Sequence, residues 1–174
     1  MTARGVLKAC LVVFVVLLVQ STLGLDLSIF SAHPDLLLLL PIAAGIAGDA
    51  EEGAVMGFVA GFAADLLLPT PFGLSALVYC LVGFAVGYTT GSIVREVWWF
   101  TPVVALAASA VAVMLYAVLG AVLGQEQFLT VDLAAVVGVV AVFNAILALP
   151  AVRVVRWALP SADDARPSAA GGRW

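Results

Sequence analysis

The sequence is short of charge. Only 10% of its 174 residues are Asp, Glu, Lys or Arg, against 64% hydrophobic residues, and the mean hydropathy is +1.21. A chain with so little polar surface cannot coat a soluble globule of this size, so the composition marks an integral membrane protein. The apolar runs fill almost the whole length, which leaves no room for a separate soluble domain. Histidine is nearly absent as well, since His33 is the only one. Nucleophilic catalysis needs a Ser or Cys with a base and an orienting acid, and Ser31, His33 and Asp35 stand too close along one loop to form that set. No second histidine or cysteine lies near His33 for metal binding, so it reads as an exposed loop residue. Cys10 and Cys80, the only cysteines, fall far apart in apolar runs with no metal-ligand spacing, and read as small core residues. There is no P-loop, dinucleotide glycine motif or redox pair. Nothing points to an enzyme, a cofactor, a metal or a nucleic-acid partner.

What is present is a series of six apolar runs bounded by turn or charge signals: residues 6–25, 35–48, 53–68, 72–91, 102–124 and 131–150. A spanning helix needs about 20 apolar residues; the first, fourth, fifth and sixth runs meet that length, and the second and third are short. The placement of basic residues decides between the alternatives, because Lys and Arg are retained on the cytoplasmic side. With six crossings and the amino terminus inside, Arg4, Lys8, Arg95, Arg153, Arg156, Arg166 and Arg173 all lie in the cytoplasm. If the second run failed to cross, Arg95 and the four carboxy-terminal arginines would move outside. The expectation is an all-α six-transmembrane-helix bundle over residues 1–157 with both termini cytoplasmic. Pro34, Pro71 and Pro102 fall at expected first helical positions, the last two after Thr70 and Thr101 as N-caps. Trp98, Trp99 and Trp157 follow basic residues, as interfacial anchors do. The first run is longer than a usual signal core and reads as a retained span. Residues 158–174, rich in Pro, Gly, Ala and mixed charge, read as a disordered cytoplasmic tail.

Three of the runs carry glycine every fourth residue: Gly53, Gly57 and Gly61; Gly83, Gly87 and Gly91; Gly120 and Gly124. Lipid gives helices no hydrophobic reason to associate, so small residues act by letting backbones approach. A four-residue step drifts by only about 40° around a helix, so each ladder makes a slowly winding groove, either for packing within the bundle or for docking a partner helix. Asp65 stands one such step beyond Gly61. Intramembrane acids suggest function by default, yet no Lys or Arg lies within any run. Its candidate partners are Gln20, Ser21, Thr22, Ser75, Tyr79, Ser109, Tyr116 and Asn144, and both a structural hydrogen bond and contact with a partner or ligand stay open. Asp49, Glu51 and Glu52 read as a helix start, with Asp49 as N-cap and Glu52 at the third position.

With Gln20-Ser21-Thr22 closing the first run, Pro34-Asp35-Leu36 opening the second, Gly57, Phe58, Gly61, Phe62 and Asp65 in the third, Phe72-Gly73 at the next turn, then Tyr79 and Gly83, residues 1–157 resemble the MreD family of bacterial inner-membrane rod shape-determining proteins. The run of glycines and aspartate followed by Phe-Gly is the most specific part. The resemblance implies a non-enzymatic scaffold or regulator of the machinery that elongates rod-shaped cells, associated with MreC, MreB, RodA and a class B penicillin-binding protein. It implies a fold similar to the substrate-binding subunits of energy-coupling-factor vitamin transporters, and hence a rival reading as a transporter subunit. That reading needs polar side chains converging on a pocket, of which the chain has few. On the scaffold reading Gly53, Gly57, Gly61, Asp65, Phe72, Gly73, Gly83 and Gly87 form a helix-packing or partner-docking surface, with membrane lipid around it.

Overall fold

The computed structural model describes residues 3–23, 35–67, 72–91, 99–124 and 133–159. Among these the regular structure is entirely helical: α1 (Ala3–Leu23), α2 (Leu36–Ala47), α3 (Ala50–Asp65), α4 (Leu74–Gly91), α5 (Phe100–Val122) and α6 (Leu133–Ala158). Pro34, His33, Thr70, Pro71, Arg95, Trp98 and residues 160–174, with the tail expected there, lie outside the described residues.

The helices follow the apolar runs, with shifts at their ends that have local causes. Asp49 accepts the Glu52 N–H at 2.9 Å, so α3 starts at Ala50, three residues before the expected position, with Glu51 and Glu52 in its first turn. This is the cap read from the acidic cluster, and the negative charge sits where the helix dipole favours it. Thr101 is not a cap, because α5 begins one residue earlier, after Trp99, and Pro102 takes a place in the first turn where no N–H is needed. Pro150 does not end α6, which continues through Arg153, Arg156 and Trp157 to Ala158. An apolar helix that packs against neighbours tolerates the missing backbone bond. Gly124 follows the end of α5 with φ +84° and nothing near its Cβ direction. It is a helix terminator of the left-handed kind, not part of a packing ladder.

α2 is the hub. Every residue from Leu37 to Ile46 is buried, because α1, α3, α4, α5 and α6 all pack around it. A helix apolar on all sides belongs at such a place. α3 lies antiparallel against both α2 and α4, and α5 pairs with α6. The start of α1 and the end of α6 come together: Lys8 Nζ sits 4.9 Å from the centre of the Trp157 ring and 3.5 Å from the Trp157 carbonyl oxygen, a cation–π contact.

The outside of the bundle is apolar. Leu7, Phe14, Phe84, Tyr88, Val122 and Ile146 are all exposed, a surface that water would not hold dispersed. α5 and α6 are long and apolar enough to cross a membrane; the apolar stretches Leu7–Thr22, Leu36–Ala47 and Leu74–Thr90 are shorter. Cys10 is exposed on α1, not a core residue, because a run that is apolar all round does not reveal which face turns inward.

Candidate functional site

The glycine ladders meet each other. A Cβ built on Gly57 would lie 2.8 Å from the Cys80 backbone nitrogen and overlap the Tyr79 carbonyl; one on Gly61 would lie 2.6 Å from the Ala76 nitrogen. Gly53 and Gly83 face each other so closely that a Cβ on either would overlap the other's carbonyl. α2 joins the seam through Gly45, whose Cβ would meet the Gly87 nitrogen at 2.7 Å, and through Pro41, 2.9 Å from a Cβ on Gly83. Gly87 in turn lies against the backbone of Asp49 and Ala50. The grooves of α3 and α4 are therefore filled by one another, and a partner's helix cannot enter them without parting the hairpin.

Asp65 closes the seam at its far end. It is the last residue of α3, 4% exposed, and both oxygens face the first turn of α4. Oδ2 accepts from the Gly73 and Ala76 N–H groups at 2.9 and 3.1 Å, and Oδ1 from the Ser75 N–H at 3.0 Å. The partners are backbone groups, not the side chains considered from the sequence. The residue before α4 is Gly73, which has no side chain to cap the helix, and the Ser75 hydroxyl in its first turn makes no hydrogen bond, so its orphan donors need an acceptor from elsewhere. Asp65 supplies it across the turn, with the positive end of the α4 dipole beside it. Gly73 has φ +95° and nothing within 4 Å of its Cβ direction: its requirement is conformational, a backbone that L side chains resist. Phe72 is exposed, its ring edge-on to Phe62 at 5.4 Å, and Phe62 stacks on Phe58 at 6.2 Å.

A second polar cluster ties α1, α2 and α4 together at the same end of the bundle. Asp35 caps α2 by accepting the Leu38 N–H at 3.1 Å, and its other oxygen accepts a hydrogen bond from the Tyr79 hydroxyl. Gln20 Oε1 accepts the Leu37 N–H at 2.9 Å. The residues that carried the resemblance one by one, Gln20, Asp35 and Tyr79, thus act as a unit, which their distance along the chain had hidden. Elsewhere, Asn144 on α6 donates to Ser109 on α5 at 2.9 Å, both fully buried. The Asn144 Oδ1 and Ser75 Oγ atoms are buried without a hydrogen-bond partner. Among the described residues no three His, Cys, Asp or Glu side chains come together as metal ligands would.

Chemically, this is fastening. Asp65 and Gln20 accept from the first turns of neighbouring helices, Asp35 caps the helix it opens, and Tyr79 holds Asp35, so backbone donors that would otherwise face an apolar interior are satisfied. The family model of the rod shape-determining protein MreD matches residues 1–156 of the chain. No curated protein and no solved structure matches it.

Proposed function

The chain belongs to the MreD family of rod shape-determining proteins, a membrane protein family with a role in rod shape, and from that premise we propose that it is a non-enzymatic scaffold of the cell-elongation complex in the bacterial inner membrane. The observation that carries the proposal is the Asp65 clamp with the closed glycine seam. The residues most specific to the family make a rigid body, which is what a docking platform requires.

On this reading all six helices cross the membrane and both termini are cytoplasmic. The adjacency of Lys8 and Trp157 fits an even number of crossings. α2, about 18 Å long at 1.5 Å per residue for its 12 residues, does not have to match the bilayer, because protein and not lipid surrounds it. The scaffold docks MreC, and through the same assembly works with MreB, RodA and a class B penicillin-binding protein.

With the glycine seam filled, the partner meets an outward face. Leu7, Leu11, Phe14 and Leu18 are all exposed on α1 at intervals of four, three and four, the spacing of an a/d seam that packs a second helix. Replacing Leu11, Phe14 and Leu18 by alanine is expected to reduce co-purification of MreC from solubilised membranes and to round the cells. The same number of alanines on the exposed α6 positions Val142, Ile146 and Leu149 is expected to leave both unchanged. Undiminished MreC capture by the α1 variant would exclude this face.

A further inference from the structure

A crevice of about 340 Å³ runs between α1 and α6, with α2 as its floor. Val16 and Val19 form one wall, Leu147 and Val154 the other, and Leu39 and Leu40 the floor. All of these side chains are apolar, so the occupant is apolar where it lies inside. The crevice is also narrow. Leu39 and Leu40 keep only 4% and 2% of their surface exposed, whereas a gap that seats a helix about 10 Å across would leave its floor open. It stands apart from the α1 face proposed for MreC, since Leu11, Phe14 and Leu18 do not line it.

What singles out this crevice is the charge at its mouth. Pro150, Val154 and Trp157 follow at intervals of four and three, so Trp157 continues the stripe that lines it. Trp157 is exposed, with Lys8 against its ring, and Arg153, one turn earlier on α6, is exposed as well. Among the described residues neither Lys8 nor Arg153 has a carboxylate within ion-pair distance. Asp49, Glu51 and Glu52 belong instead to the cap and first turn of α3. The Lys8 ammonium has three N–H donors, of which the Trp157 carbonyl takes one, and the Arg153 guanidinium is a planar fork that fits phosphate oxygens. Two cations left without a counter-charge beside an apolar crevice call for an occupant with a negative head and an apolar tail, the chemistry by which basic pockets between helices hold anionic lipid headgroups. We infer that the α1–α6 crevice holds an anionic phospholipid, its phosphate between Lys8 and Arg153 and an acyl chain against Leu39 and Leu40. The inference rests on the membrane-spanning reading of the bundle and goes beyond its role as a scaffold.

The test titrates the purified full chain in detergent with phosphatidylglycerol or phosphatidylcholine of identical acyl chains and counts bound lipid by native mass spectrometry. The first lipid bound is expected to be phosphatidylglycerol, preferred several-fold over phosphatidylcholine. R153Q is expected to lower that preference several-fold. R156Q removes the same charge two positions from Val154, on the opposite side of α6, and is expected to keep it. Equal binding of the two lipids by the unaltered chain overturns the inference, with no variant needed. So does an equal preference in R153Q and R156Q, which would mark a general attraction of anionic lipid to basic residues. A photocrosslinker at Val154 that captures a second copy of the chain or another protein's helix in native membranes, in place of lipid, overturns it too. A failure of the membrane reading is seen separately, as a chain that does not float with vesicles of the same lipids.

Discussion

At the scale of single residues, the chemistry turns on which atoms face each other. Asp65 uses two oxygens for three N–H donors, and asparagine has one oxygen. In its better orientation Asp65→Asn keeps the Gly73 and Ala76 bonds and points its amide nitrogen at the Ser75 N–H, leaving a buried donor unpaired. The expected cost is about 1–3 kcal/mol, read as a lower thermal unfolding midpoint in detergent and a lower amount of chain in membranes. Asp65→Asn is therefore not a mild substitution that removes only charge. Gly73→Ala is expected to cost about 1–2 kcal/mol by the same measurement, although nothing is close enough to clash, because φ +95° strains any residue with a Cβ. The structural importance of Asp65 was legible in the sequence, as the one acid deep in an apolar run. Its partners were not, because backbone donors leave no mark on residue identity. The clue was indirect, a helix start without a capping side chain of its own.

At the scale of helices, glycine spacing indicated that backbones come close, and left open which backbones. The structure pairs α3 with α4 and brings in α2 through Gly45 and Pro41. Gly57→Ala is expected to lower stability by about 1–3 kcal/mol, the usual cost of overpacking, with loss of accumulation in the membrane. Gly138→Ala, on α6 with nothing within 4 Å, is expected to be neutral or to raise stability by up to about 1 kcal/mol, the helix propensity difference. Equal behaviour of the two variants in a thermal unfolding series would mean that the seam is not closely packed. Helix existence was readable from the apolar runs, and helix ends less so. Pro150 resembles a stop signal, and only the neighbours of α6 let the helix pass through it.

At the scale of the whole molecule, the arrangement of charge makes its own prediction. If the six helices all cross, a fluorescent protein fused after Trp174 lights up in the cytoplasm, while alkaline phosphatase fused there is inactive. Phosphatase fused within residues 24–34, between α1 and α2, is active. Activity in the reverse pattern would require the basic residues to lie outside, against their usual retention. The all-helical architecture was legible because each apolar run folds as one helix; the sidedness read from charge is what the fusions test. The outward faces were not legible, since a surface that is apolar everywhere does not distinguish lipid from partner.

The contact between Asp65 and the start of α4 also constrains the order of events during synthesis. When α3 leaves the ribosome its carboxylate has no acceptor-hungry turn to meet, and an isolated acid is costly in hydrocarbon. The donors arrive only with residues 73–76, and the glycine faces find each other only when α4 is in place. If the third and fourth helices both cross the bilayer, they are expected to enter it as a preassembled pair, held in the insertion machinery until the second has been made. A stalled nascent chain that ends before residue 73 should leave α3 extractable at alkaline pH, while one that extends beyond α4 should resist extraction.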